Sequence, residues 1–330
     1  MVPSNLNKTS SVSHKDFRLL GFPEVTKFRP LLALPFSFIY TVILSANSVV
    51  MLVIALEESL HTPMYTLIFS LLAGNVVYTT AITPKMLLSL FGLNEISLAG
   101  CLAQIFTILT SIMAESITLL LMAVDRYLAI SRPLHYQEII LKQLLVHSAI
   151  NGLLRNCLVV LPVVILSSSV RYCRSNIINH FYCENMMLLG LGCQELRGEV
   201  IGLLVRTAIT VCDIVIIFLS YLKILQTVLR IALGAARYKA LHTCSTNLVV
   251  VVITYASGIL ISSFYMPGIS TSYTTQNTVS AIHFLFPAIV NPFIYGIRME
   301  EIKDNLQKWW RKKKNISWCT EAYNNGQAHK

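Results

Sequence analysis

Seven stretches of the chain stay apolar, with few interruptions, for twenty residues or more, and the short segments between them carry most of the charge. Runs of that length match the roughly 20 residues needed to cross about 30 Å of hydrocarbon. They predict spanning helices near Leu31–Leu56, Tyr65–Leu88, Cys101–Tyr127, Leu145–Ser167, Val200–Leu225, Thr243–Tyr265 and Thr278–Ile297. The expected fold is an all-α membrane protein, a seven-transmembrane helix bundle over residues 31–297, preceded by a segment of residues 1–30 and followed by residues 298–330. In that last segment Ile302, Leu306, Trp309 and Trp310 recur at helical spacing just before the basic cluster Arg311–Lys314. This pattern predicts a short amphipathic helix on an anionic cytoplasmic leaflet, with membrane lipids as partners.

Composition strengthens the membrane reading. The 330 residues are 55% hydrophobic and 13% charged, with a mean hydropathy of +0.63, whereas soluble domains carry about 25% charge. The net charge of +10 does not point to nucleic acid, because no basic stripe is interleaved with exposed aromatics. It follows topology instead. The loops after the first, third and fifth helices and the tail hold 13 Lys and Arg, against 3 in the loops after the second, fourth and sixth. The positive-inside rule therefore predicts a multi-pass protein with a cytoplasmic carboxyl terminus and an extracellular amino terminus. The 5 basic residues of the amino-terminal segment, against Asp16 and Glu24, pull the other way without reversing the balance. Residues 1–30 hold no apolar run of signal-peptide type, so the first helix is expected to act as an uncleaved anchor. Asn7-Lys8-Thr9 is a glycosylation sequon, placed where an extracellular end would carry it.

Cys173, Cys183 and Cys193 are spaced by ten in the loop after the fourth helix, and Cys101 opens the third helix on the same side. Four thiols on an oxidising face predict two disulfides, for which three connectivities are open. Cys157, Cys212, Cys244 and Cys319 read as free thiols.

Two places concentrate chemistry within the apolar background. Asp125, Arg126 and Tyr127 lie 24 to 26 residues after Cys101, roughly 37 Å further along a helix and so at the opposite membrane face. As an isolated triplet they could simply anchor a helix end at the interface. Nearer the other face, Leu109, Ile112, Met113 and Ser116 share one side of the third helix, and Tyr255, Gly258, Ile259 and Ser262 are similarly spaced on the sixth. These suit a small, mostly apolar pocket with a few hydroxyls, or a plain packing face. Arg206 in the fifth helix is an intramembrane cation that needs a partner: an acidic ligand, or Glu199 or Asp213 on its own helix. No cofactor is expected, and eight scattered His residues without an HExxH spacing give no hold for an enzyme or a metal. A channel or transporter lacks its usual inverted repeat or glycine-broken helix pair.

Six motifs, in order along the chain, resemble the signature of the olfactory receptors among the rhodopsin-like, class A G-protein-coupled receptors. They are LHTPMY at Leu60–Tyr65, TPKML at Thr83–Leu87, MAVDRYLAISRPLHY at Met122–Tyr136, SYLKIL at Ser220–Leu225, KALHTCST at Lys239–Thr246 and NPFIYGIR at Asn291–Arg298. EESLHTPMY, NEISLAGCLAQIF, Arg155 and Asp213 are similar to the fish-like class I branch. The resemblance implies a plasma-membrane receptor that binds a small-molecule odorant in the outer half of the bundle. It implies activation of a heterotrimeric G protein with a stimulatory, olfactory-type α subunit, raising cyclic AMP. It implies that Arg126 turns from Asp125 toward that subunit, assisted by Tyr221 and Tyr295, while Asn291-Pro292 lets the seventh helix swing. It also implies the pairing Cys101 with Cys183 and Cys173 with Cys193. The rival readings are a non-olfactory class A chemoreceptor for a small polar metabolite, and a channel or transporter.

The chain departs from the family pattern at Asn75, where an acid is usual, at Ala46, where a Gly is usual beside Asn47, and at Asn247, where a His is usual. The first leaves Glu115 as the one clear mid-membrane acid of the second and third helices. A cation site at Glu115 and Asn75 then competes with a neutral Glu115 hydrogen-bonded to Asn75 or Asn47. No acid lies between Arg237 and Thr254, so Asp125 is the partner available to Arg126.

Overall fold

The computed structural model describes residues 13–24, 29–131, 139–193, 197–230, 234–264, 271–309 and 311. Among these, seven helices are long and apolar enough to span a membrane. They are α1 (Arg29–Leu56), α2 (Pro63–Leu90), α3 (Leu98–Ser131), α4 (Ile139–Ser169), α6 (Arg197–Arg230), α7 (Ala235–Phe264) and α8 (Tyr273–Arg298), with a short α5 (Asn185–Leu189) between α4 and α6. Most begin earlier or run later than the apolar runs alone predict. The reason is that apolar length reports only the part immersed in hydrocarbon, while helical hydrogen bonding continues into the polar flanks. The consequence matters most for α3, which extends four residues past Tyr127, so the Asp125-Arg126-Tyr127 triplet lies within the helix and not at its end.

Burial is inverted relative to a soluble protein. Large apolar side chains face outward, with Phe38 70%, Leu158 67% and Phe218 60% exposed. Polar side chains are enclosed between helices, among them Asn47, Asn75, Asp125, Asp213, Asn247 and Asn291. In lipid there is little hydrophobic gain from helix association, so polar contacts and close packing fix the arrangement. Asn47 shows how. Its amide donates to the carbonyls of Ile43 (2.8 Å) and Ala288 (2.9 Å) and accepts from Asn75 (3.2 Å), tying α1, α2 and α8 together. Gly152 lets α4 approach α3, since a Cβ there would stand 2.8 Å from the Ile117 side chain.

One end of the bundle carries a cap that helical periodicity does not announce. Strand β1 (Asp16–Leu19) pairs antiparallel with β2 (Glu95–Ser97) and parallel with β3 (Ile177–Ile178). Phe17 and Leu19 point inward beside Cys101, Tyr172 and Cys183. Disulfides Cys101–Cys183 and Cys173–Cys193 staple the long α4–α6 loop over this end. Gly21 passes so close to Phe181 that a Cβ would lie 2.7 Å from its Cβ. At the far end, residues 300–309 form the helix α9. It buries Ile302 in the core shared by α1, α2 and α8, and Trp309 donates to the Glu57 carboxylate at 2.7 Å. Asn7, Trp310 and Lys312–Lys314 lie outside the described residues.

Candidate functional site

Between the cap and the middle of the bundle lies a cavity of about 480 Å³, within the range of small-molecule sites. Leu109, Ile112 and Met113 line it from α3, and Tyr255, Gly258 and Ile259 from α7. The backbones of Arg206 and Ser262 belong to α6 and α7, and their side chains lie outside the described residues. The cap closes the cavity with Tyr182, Cys183 and Glu184. Gln104 of α3 holds this segment in place, its Oε1 accepting from the Cys183 amide at 2.8 Å.

The floor is polar. Ser116 donates to Asp213 Oδ2 (2.6 Å) and lies 2.8 Å from the Tyr255 hydroxyl, while Arg155 Nη1 reaches Asp213 Oδ1 at 2.8 Å. Four helices, α3, α4, α6 and α7, therefore meet in one hydrogen-bonded chain. One alternative is corrected here. Glu115 accepts from Thr254 at 3.1 Å, while Asn75 bonds Asn47, so the carboxyl turns to α7 and not to either Asn. The amide pair is satisfied internally by helix packing, and the α7 hydroxyl is the donor within reach. Asp213, considered as a partner for Arg206, is held by Arg155 and Ser116. Glu115, expected only as a candidate cation site, lines the cavity as well, as do Thr254 and His283, which the sequence did not single out. A polar residue in each apolar run was the available signal, but periodicity within one helix cannot say which polar residues of different helices meet.

In the cap, His180 is fully buried with Nε2 3.1 Å from the Ser280 hydroxyl of α8. Burial pushes its pKa down to about 3, because a charged imidazole would lose its hydration there.

At the opposite end of α3, Arg126 forms a two-contact ion pair with the fully buried Asp125, Nη2 at 2.7 Å and Nε at 3.1 Å from Oδ2. Tyr127 and Tyr221 pack on the cluster of Ile224, Val228 and Cys244, and Tyr221 also touches the core that holds Tyr295. Asn291 and Pro292 are buried in α8 one turn above Tyr295. Arg298, at the end of α8, donates to Ser245 (2.8 Å) and Thr246 (3.0 Å) in the first half of α7.

A ligand-sized cavity at one end of seven spanning helices, and a buried Asp-Arg pair at the other, define the class of rhodopsin-like seven-helix receptors. The crystal structure of squid rhodopsin shares the fold, with a TM-score of 0.67 and 15% identity over 87% of this chain and 86% of that one. The particular family follows from sequence: the olfactory receptor family model matches residues 36–313, and the chain belongs to that family. Olfactory receptor 56B34 of Mus musculus is 33% identical over 302 residues, 91% of this chain and 94% of that receptor. Olfactory receptor 56A5 of Homo sapiens is 34% identical over 315 residues, 94% of this chain and 99% of that receptor. The protein is a multi-pass membrane receptor of the odorant type and not an enzyme.

Proposed function

We propose that this receptor binds a small odorant in the capped cavity and activates a stimulatory, olfactory-type G protein, raising cyclic AMP. The observation that carries the proposal is the polar chain Arg155–Asp213–Ser116–Tyr255, which joins the cavity floor to four helices at once. A ligand resting on Tyr255 and on Leu109, Ile112, Met113, Gly258 and Ile259 perturbs α3 and α7 together. Toward the opposite membrane face these two helices carry Arg126 and the Ser245–Thr246 contact. Arg126 is the group to meet the G protein, since it stays charged and offers several donors once released from Asp125. Tyr221 and Tyr295 support it, and Asn291-Pro292 permits α8 to bend there.

The cap, with both disulfides, suits an extracellular oxidising face, and the basic loops suit the cytoplasmic one. Both features support a reading with the amino terminus outside, the carboxyl terminus inside and the receptor in the plasma membrane. The Arg155–Asp213 pair and the flanking motifs support a reading within the class I branch.

A ligand panel in cells supplied with the olfactory α subunit tests the proposal, with cyclic AMP as readout. Arg126→Ala is expected to abolish the response to any activating ligand at unchanged surface density. A mutant signalling at wild-type amplitude would return Arg126 to the role of interfacial anchor. Acids in the panel test Arg206: a carboxylate agonist is expected to lose about tenfold in potency in Arg206→Gln, roughly 1.4 kcal/mol.

A further inference from the structure

The cavity wall is unequal in what stands behind it. On the cap side the lining residues Tyr182, Cys183 and Glu184 are 6%, 1% and 8% exposed, covered by the strands and tied to α3. Between α6 and α7 the lining residues Thr207, Val211 and Ile259 are also surface residues, Val211 52% and Ile259 61% exposed. Both helices are within their membrane-spanning stretches at these positions, Thr207–Arg230 and Leu241–Ile261. Side chains exposed within such stretches turn toward lipid. We infer that the cavity communicates with the bilayer through the α6–α7 gap, and that it admits membrane-dissolved amphiphiles with one unbranched apolar chain and a hydrogen-bond-donating head. The inference rests on the capped cavity being the ligand site.

The head group follows from the floor. The single hydroxyl hydrogen of Ser116 goes to Asp213, so Tyr255 donates to Ser116 and presents its oxygen lone pairs. Glu115 accepts from Thr254 and keeps further acceptor capacity. The acceptor atoms of Tyr255 and Glu115 complement a donor such as an alcohol. The chain follows from the gap, whose walls at Val211, Ile214 and Ile259 are aliphatic. Such a molecule partitions into the bilayer and reaches the gap at a far higher concentration than it has in water.

The test uses the full-length receptor in phosphatidylcholine nanodiscs and two photoprobes: a long-chain alkanol with a diazirine beside its hydroxyl, and a short-chain, water-soluble analogue. The readout is covalent adduct on the α3 peptide containing Leu109 to Ser116, in which Met113 is 4% exposed. In the wild type both probes are expected to label this peptide. Val211→Trp with Ile259→Trp should slow labelling by the long alkanol at least about tenfold while sparing the final yield of the short one. Because the Trp pair could fill the cavity itself, the converse pair Val211→Ala with Ile259→Ala is needed, and it should speed labelling. A long-alkanol rate indifferent to both pairs would overturn the lateral path while leaving the cavity reading intact. Absence of adduct from either probe in the wild type would overturn both.

Discussion

Arg155 and Asp213 show how one contact inside the membrane can govern several helices. Asp213 is buried at 3% side-chain exposure and Arg155 keeps 29%, so the pair is largely removed from water. Each charge alone would be costly there, and the ion pair with the added Ser116 hydroxyl offsets that cost. Removing one partner should hurt more than removing both. Arg155→Met or Asp213→Leu is expected to destabilise the receptor by about 3 kcal/mol, and the double variant to recover most of this. Thermal unfolding of the four proteins in one detergent measures the coupling. Additive losses would show that the pair contributes no more than two separate contacts. At the other end of α3, Asp125 and Arg126 use the same chemistry between adjacent residues, which leaves the Arg free to change partners without dragging a second helix.

Facing elements also carry polar groups that their packing leaves unsatisfied. Both amide atoms of Asn247 on α7 and both of Asn291 on α8 are buried and find no hydrogen-bond partner among the described residues. An unpaired buried amide costs about 1–3 kcal/mol, so this packing is held against a penalty that another arrangement of the two helices could relieve. The hydrogen bonds from Arg298 to Ser245 and Thr246 are the polar links that close the interface at its end. Asn247→Leu keeps the branching at Cγ and removes the unpaired amide. It is expected to raise stability by about 1 kcal/mol, read as a higher unfolding midpoint. A lower midpoint would mean that Asn247 is satisfied in the membrane-embedded receptor.

At the scale of the whole molecule, the cap joins parts far apart in the chain. A strand before α1, the α2–α3 turn and the α4–α6 loop form one sheet, and the loop then meets α8 through His180. Since burial holds this imidazole neutral to about pH 3, the unfolded chain takes up a proton between its ordinary pKa near 6.5 and that value while the folded chain does not. Stability is thus complete above about pH 6.5 and is lost as pH falls. The loss attributable to His180 should reach about 2 kcal/mol at pH 5. His180→Gln should flatten the dependence of the melting temperature on pH over this interval. An unchanged slope in the variant would assign the effect to other groups.

The apolar runs by themselves determined the seven crossings, because a bilayer imposes one length on every spanning helix regardless of what it packs against. The six motifs likewise led to the family, and the composition to the membrane. The tertiary structure decided the rest. Helix ends moved because hydrogen bonding outlasts hydrophobicity, and β1, a mere four residues, has no period strong enough to read without its partners. That Glu115 turns to Thr254 and Asn75 to Asn47, or that Arg155 takes Asp213, depends on which faces of different helices oppose one another. A one-dimensional pattern gives each helix its polar positions. Only packing in three dimensions gives those positions their partners.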